Sequence, residues 1–204
     1  MTKPAHVIGI AGGSGSGKSW LATFLKRQLG SRATVLAQDW HYRDRTGVAP
    51  ADAKKLNFDH PSAIEAKLFH RHIEALRHGE AVESPLYDYA THLRLPQTRR
   101  VEPAPLLIVE GLFVLHDTRV TARLDHSIFV DVPADVRLLR RIRRDAAHRA
   151  IDLEETMRLY ETFVRPMHER FVQPSAARAR KIWRPLEERG FPRKLLHELK
   201  QLIP

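Results

Sequence analysis

The sequence predicts an α/β fold with a mostly parallel sheet covered by helices. Three observations carry that prediction. Short β-branched or apolar runs, HVIGIA, ATVLAQ, PLLIVE and HSIFVDV, alternate with amphipathic stretches. PLLIVE is apolar up to its last residue, as expected of a strand covered on both faces. A glycine-rich turn joins the first run to the first helical stretch. The 204 residues, 43% of them hydrophobic, suit a single domain, 1–204, with one sizeable core.

Taken in order, His6–Ala11 reads as the first strand. A helix follows from Lys18 to about Leu29, stopped by Gly30. The second strand, ATVLAQ, ends at Asp39, and residues 40–60 read as irregular. Ser62 with Glu65 has the spacing of a capping box, followed by a helical stripe of Ile64, Leu68, Phe69, Ile73 and Leu76. Gly79 closes that helix. Residues 80–100, with Pro85 and Pro96, read as a hairpin or meander. After the buried strands come helices from Ala134 to about Ala147 and from about Leu153 to Val172, the latter bent near Pro166. KIW suits a last strand and 193–202 a last helix. The segment from about 40 to 100 breaks the alternation and is the natural place for an acceptor site; about 137–158 reads as a lid.

The net charge of +10 suits a polyanionic partner, either nucleic acid or a phosphorylated small molecule. The absence of cysteine excludes disulfides and thiolate metal sites. No apolar run approaches the roughly 18 residues that span a bilayer. The residues from Met1 to Gly13 show no secretory apolar segment with a cleavage site, so a cytoplasmic location is expected.

Gly12-Gly13-Ser14-Gly15-Ser16-Gly17-Lys18-Ser19 fits G-x-x-x-x-G-K-[ST] and sits between strand and helix, where a phosphate cradle belongs. In such a loop, glycines turn backbone N–H groups towards phosphate oxygens and the helix adds the positive end of its dipole. Lys18 then reaches the β- and γ-phosphates and Ser19 offers a hydroxyl to Mg²⁺. Gly12 to Trp20 is therefore the expected nucleotide-binding stretch. A P-loop enzyme needs a carboxylate near the metal, and Glu110 at the end of PLLIVE supplies one; a solvated strand-end glutamate is the plainer alternative. Asp39 is placed to accept a proton from an attacking hydroxyl, although a turn-initiating aspartate has the same signature. His70 and His72, two apart on a helix, face different ways and make a poor metal pair.

The chain resembles the uridine kinase family, within the phosphoribulokinase/uridine kinase group of P-loop kinases. The motifs are GIAGGSGSGKS, QDWHYRD, NFDHP, PLYDYATHLR, IVEGLFVL, IFVDVPADVRLLRRIRRD and FVRPMHERFVQP, spread from about Val7 to Pro174. The resemblance implies a three-layer P-loop NTPase fold with a small β insertion for the acceptor and a helical lid. It also implies ATP-dependent phosphorylation of the 5′-hydroxyl of uridine or cytidine, and ATP and Mg²⁺ as cofactors. Asp39 becomes the expected base, Tyr42 lies by the nucleoside, and Asp59 binds the ribose hydroxyls. Tyr87 and His92 face the pyrimidine, with Tyr89 stacked nearby and Phe58 offering a further aromatic face. Phe58 and Tyr89 are also plausible core aromatics, and His92 a surface histidine. Glu110 would share Mg²⁺ with Ser19. Arg141, Arg144 and Arg149 fall at lid positions that clamp phosphates and acceptor, and Lys18, Arg144 and Arg149 would absorb developing charge. The family commonly forms tetramers, so a homo-oligomer, tetramer or dimer, is expected.

The lid departs from the family. Ala150 and Ile151 stand where a glycine and a second arginine are usual, and Leu159 stands for a glutamine. Trp40 and His41 replace the usual small and aromatic pair. These differences keep open an acceptor such as nicotinamide riboside, a sugar phosphate or pantothenate. They bear less on the P-loop, Asp39 and Glu110. The arginine-rich stretch 137–149 also allows a remote reading as a nucleic-acid-binding protein, although no RNA-binding signature accompanies it.

Overall fold

Successive side chains of a strand point to opposite faces of its sheet, so runs that are apolar almost throughout present apolar residues on both faces. In the computed structural model, which describes residues 5–47, 56–89, 91, 93–148 and 151–203, the sheet has five parallel strands. They are β1 (His6–Gly12), β2 (Ala33–Ala37), β5 (Leu106–Glu110), β6 (His126–Val130) and β7 (Lys181–Trp183), in spatial order β2-β5-β1-β6-β7. The antiparallel pair β3 (Val82–Asp88) and β4 (Leu93–Val101) forms the separate hairpin within the 40–100 segment.

Ile8, Ile10, Leu106 and Ile108 point to one face and meet Leu21, Leu25, Leu195 and Leu199. Those partners come from α1 (Lys18–Leu29) and the C-terminal helix Phe191–Leu202. Val7, Leu107 and Val109 point to the other face and meet Phe69, Ile73 and Leu76 of α2 (Ala66–Arg77). Helix, sheet and helix therefore form three layers, because every central strand is apolar on both sides. No helix among the described residues is long and apolar enough to cross a membrane.

Three local expectations are corrected. Asp39 does not end a strand: β2 stops at Ala37, and Asp39 sits in a 3₁₀ turn, Gln38–His41. The capping box at Ser62 and Glu65 does not form. Instead His60 caps a 3₁₀ turn, Pro61–Ala63, by accepting from the Ser62 N–H, and α2 begins only at Ala66. The reason is tertiary. Ile64 is drawn into an antiparallel bridge with Tyr42, which holds it extended where the box requires helix. The long helix after Leu153 is not a single bend at proline. It is helical to Leu159, widens to π geometry over Tyr160–Val164 and His168–Val172 on either side of Pro166, and tightens to 3₁₀ over Gln173–Arg178.

Two buried histidines make stability depend on acidity. Burial is the first cause in each case, and it pushes His41 down to about 3 and His168 down to about 4. In the unfolded chain both titrate near pH 6.5. Between those values the unfolded state holds more protons, so their contribution is complete above about pH 6.5 and is lost on acidification. The loss is up to about 1.4 kcal/mol per pH unit for each histidine. Urea midpoints are therefore expected to fall steeply from pH 6.5 to 5, and His168→Gln is expected to flatten that slope by about one proton. A slope unchanged by the substitution would contradict the buried, neutral state of His168.

Candidate active site

The carboxyl ends of the parallel strands lie on one edge of the sheet, and the glycine-rich loop leaves from the central one. Gly15 has φ 80°, and a Cβ there would run into the backbone carbonyl of Arg137. Gly17, with φ 100°, starts α1. The loop therefore needs glycine both for its backbone angles and to let the next helical layer close over it. That layer is the arginine helix Ala134–His148. Arg141 donates to the Ser14 hydroxyl at 3.2 Å, and Arg140 donates to the carbonyls of Gly15 and Ser16, both at 3.3 Å.

In register, Glu110 stands beside Ile10 on one side and Ala37 on the other. Its side chain is buried, and the Ser19 hydroxyl donates to Oε1 at 3.0 Å. Oε2 is buried with no hydrogen-bond partner among the described residues. Burial, reinforced by the nearby Asp39 charge, pushes the Glu110 carboxyl up to about 7 against the opposing pull of Lys18 and the Ser19 bond. A hydroxyl beside an orphaned, poorly solvated carboxylate oxygen suits a small divalent cation, because the cation would repay the desolvation. Gly111 follows because a Cβ there would meet the Gln38 side chain, whose Oε1 accepts from the Phe113 N–H at 2.8 Å. That bond ties the end of β5 to the turn carrying Asp39.

A cavity of about 260 Å³ opens between this strand edge, the hairpin and the segment 141–163. Ser14, Lys18 and Asp39 lie on it, as do Tyr42, Phe58, Asp59, Tyr87 and Tyr89 from the 40–100 segment. Four of these rings form one cluster: Tyr42 lies 5.5 Å from Phe58 and 5.2 Å from Tyr87, and Tyr87 lies 5.4 Å from Tyr89. The Tyr89 hydroxyl hydrogen-bonds Asp39; burial first, and the Asp39 charge second, push that phenol up. The segment 141–163 contributes Arg141, Arg144, Ile151, Glu155, Leu159 and Phe163. Arg141 and Arg144 both lean on the fully buried Asp145, at 3.1 and 2.9 Å. His92 and Arg149 lie outside the described residues.

On the other side of the loop lies a second cavity of about 480 Å³. Gly15, Ser16, Gly17 and Trp20 line it together with Arg140, Trp183, Pro185, Arg189 and Pro192. Trp183 lies 6.2 Å from Trp20 and stacks on Phe191 at 5.4 Å. Apart from the loop and Trp20, sequence reasoning missed this wall. Arg140 apart, its members come from β7 and the residues after it, and nothing local marks them. Arg137 and Arg140 were also missed, although the helical period places 137, 140, 141 and 144 on one face and turns Arg143 outward, where it is exposed. His70 and His72 diverge as expected: His70 bonds Asp117 at 2.6 Å and His72 bonds His41 at 2.9 Å.

Comparison with known proteins agrees with this geometry. The model of the phosphoribulokinase/uridine kinase family matches residues 7–190. A uridine kinase from Salmonella typhimurium is 40% identical over 183 residues, covering 86% of each chain. Among solved structures, a putative fructose transport system kinase from Silicibacter sp. TM1040 has a TM-score of 0.72 at 25% identity, over 89% of this chain and 91% of that one. The phosphoribulokinase from Rhodobacter spheroides shares the fold, with a TM-score of 0.57 at 18% identity, over 87% of this chain and 69% of that one.

Proposed function

The chain belongs to the phosphoribulokinase/uridine kinase family and is a phosphotransferase with an alcohol group as acceptor, and we propose that it moves the γ-phosphoryl group of ATP to the 5′-hydroxyl of a pyrimidine ribonucleoside, uridine or cytidine. One observation carries this reading. A single cavity lined by Ser14 and Lys18 of the loop gathers the carboxylates of Asp39, Asp59 and Glu155 and a four-ring aromatic wall. Vicinal ribose hydroxyls suit Asp59, which can accept two hydrogen bonds, and a flat base suits the rings.

Asp39 accepts the proton of the attacking hydroxyl, and the Tyr89 bond holds its carboxylate in place until the acceptor arrives. Lys18 and the cavity-facing Arg141 and Arg144 stabilise charge on the equatorial phosphate oxygens; Arg149 is proposed to join them. Ser19 and Glu110 would hold Mg²⁺, which when bound neutralises charge on the transferring group. The second cavity, with Trp20, Trp183 and Arg140, has the rings and cation to receive the base of the nucleotide.

A second reading has its own observation. Ile151 and Leu159 both line the acceptor cavity, and neither offers a hydrogen bond. A related acceptor with fewer polar groups on that side, nicotinamide riboside before a sugar phosphate or pantothenate, fits that wall. The deciding experiment is ADP release with Mg²⁺-ATP and each acceptor in turn. Stimulation by uridine or cytidine supports the first reading. Turnover only with another acceptor replaces it, and silence with all of them, alongside tight salt-sensitive RNA binding, overturns both.

The lid supports a further test. Ile151→Arg adds a cation to the cavity wall and is expected to lower the KM for ATP about five-fold, roughly 1 kcal/mol. An unchanged or raised KM would mean that the wall serves the acceptor alone.

A further inference from the structure

The 3₁₀ turn bearing Asp39 is fastened from below by groups that no part of the reaction uses. His41, two residues beyond Asp39, is fully buried, and its Nδ1 lies 3.2 Å from the Ala37 carbonyl. Its Nε2 lies 2.9 Å from Nδ1 of His72, itself buried on α2. A carbonyl only accepts, so His41 carries its proton on Nδ1, and its Nε2 accepts from the His72 Nδ1–H. The His41 and Phe69 rings pack in a T-shape with their centres 4.9 Å apart. Around the pair, the Glu65 N–H donates to the His41 carbonyl at 2.8 Å. Arg94 reaches from the hairpin to the Tyr42 carbonyl and to the Glu65 carboxylate, each at 2.8 Å. Arg71, Glu65 and Arg94 are the charged groups facing the two rings, and burial is the main cause keeping both rings neutral.

Resting on the kinase reading above, we propose that His41 and His72 are positioning residues for that reaction: their mutual hydrogen bond ties the Asp39 turn to α2 and sets where the carboxylate stands over the cavity. The link joins residues 31 apart and runs through a single hydrogen bond with a defined direction. Its loss leaves two buried polar nitrogens without each other and frees the turn on its inner side. The phosphate loop shares none of these contacts, so the link acts on the acceptor step and not on ATP binding.

The test uses variants that cut the link differently. His41→Phe keeps the ring and removes both hydrogen bonds. His41→Asn keeps a donor near the Nδ1 position only. His41→Gln places an acceptor near the Nε2 position, within reach of His72. His72→Leu removes the partner. His41→Phe, His41→Asn and His72→Leu are each expected to lower kcat about ten-fold with the KM for ATP unchanged. His41→Gln is expected to stay within about two-fold of wild type, and the His41→Phe/His72→Leu double variant to fall no further than either single one. Unchanged kcat in the cutting variants, a Gln variant as slow as Phe, or losses that multiply would overturn the proposal.

Amide hydrogen exchange reads the same link without turnover. In His72→Leu or His41→Asn, whichever stays folded, exchange in 38–42 is expected to quicken about ten-fold while 12–19 stays unchanged. Equal exchange would refute the link even if no acceptor is turned over. Absence of acceptor-dependent ADP release in the wild type, with quickened exchange in the variants, would instead refute the kinase reading and leave the link standing.

Discussion

Asp39→Asn is expected to lower kcat by about 10²–10⁴ while ATP binding stays within about two-fold, because the amide keeps the shape of the carboxylate and cannot take a proton. The Tyr89 hydroxyl, which donates to Asp39, can donate equally to the amide oxygen, so the turn keeps its place. ATP binding is followed by fluorescence of Trp20 and Trp183 in the second cavity, away from the substitution, and ADP release reports the chemistry. Turnover within a few-fold of wild type would remove Asp39 as the base. A large loss of ATP binding would show that Asp39 supports the loop instead.

Glu110→Gln is expected to move activity and stability in opposite directions. In the metal-free protein the Glu110 carboxyl is held up to about 7, chiefly by burial. A carboxyl raised in this way helps the folded state fully below its unfolded value near 4.5, and that help is lost as pH rises through 7. At pH 8 the wild type therefore folds around a poorly solvated charge, which the neutral amide does not carry. The variant should be more stable than wild type at pH 8, on the order of 3 kcal/mol, with the difference vanishing towards pH 4.5. Turnover should fall at least about 10²-fold, since the oxygen with no partner in the fold is the one proposed for the cation. Urea unfolding at the two pH values without added metal measures the first effect. A variant less stable than wild type at pH 8 would show that the carboxylate serves the fold.

The parts legible in the sequence were those whose signal is local. Strand apolarity placed β1, β5 and β6, and the run Gly12 to Ser19 placed the loop and the start of α1. Glu110 is recognisable as the one charge closing an apolar strand, and it does lie beside the loop. Tyr42, Phe58, Asp59, Tyr87 and Tyr89, the residues proposed for the acceptor, followed from a resemblance, and one cavity gathers all five. What stayed hidden depends on the third dimension. The Ser62–Glu65 box was a valid local pattern, but the Tyr42–Ile64 bridge pulled the chain out of helix. Arg137 and Arg140 needed the phase of their helix relative to the loop. Trp183, Pro185 and Arg189 needed the position of β7 at the sheet edge. His41 and His72 meet only because α2 packs under the turn, and spacing along the chain says nothing of that.

The strand order has a consequence for synthesis. β1 is central, yet both of its neighbours come late: β5 starts at Leu106 and β6 at His126. A ribosome adds about 5–20 residues per second, so this central, buried strand emerges and waits roughly 5–20 s before either neighbour exists to pair with it. During that interval the phosphate loop has no second carboxyl end beside it and no arginine helix above it. A growing chain halted before Leu106 thus exposes an unpaired apolar edge, a natural target for chaperones and, in their absence, for self-association.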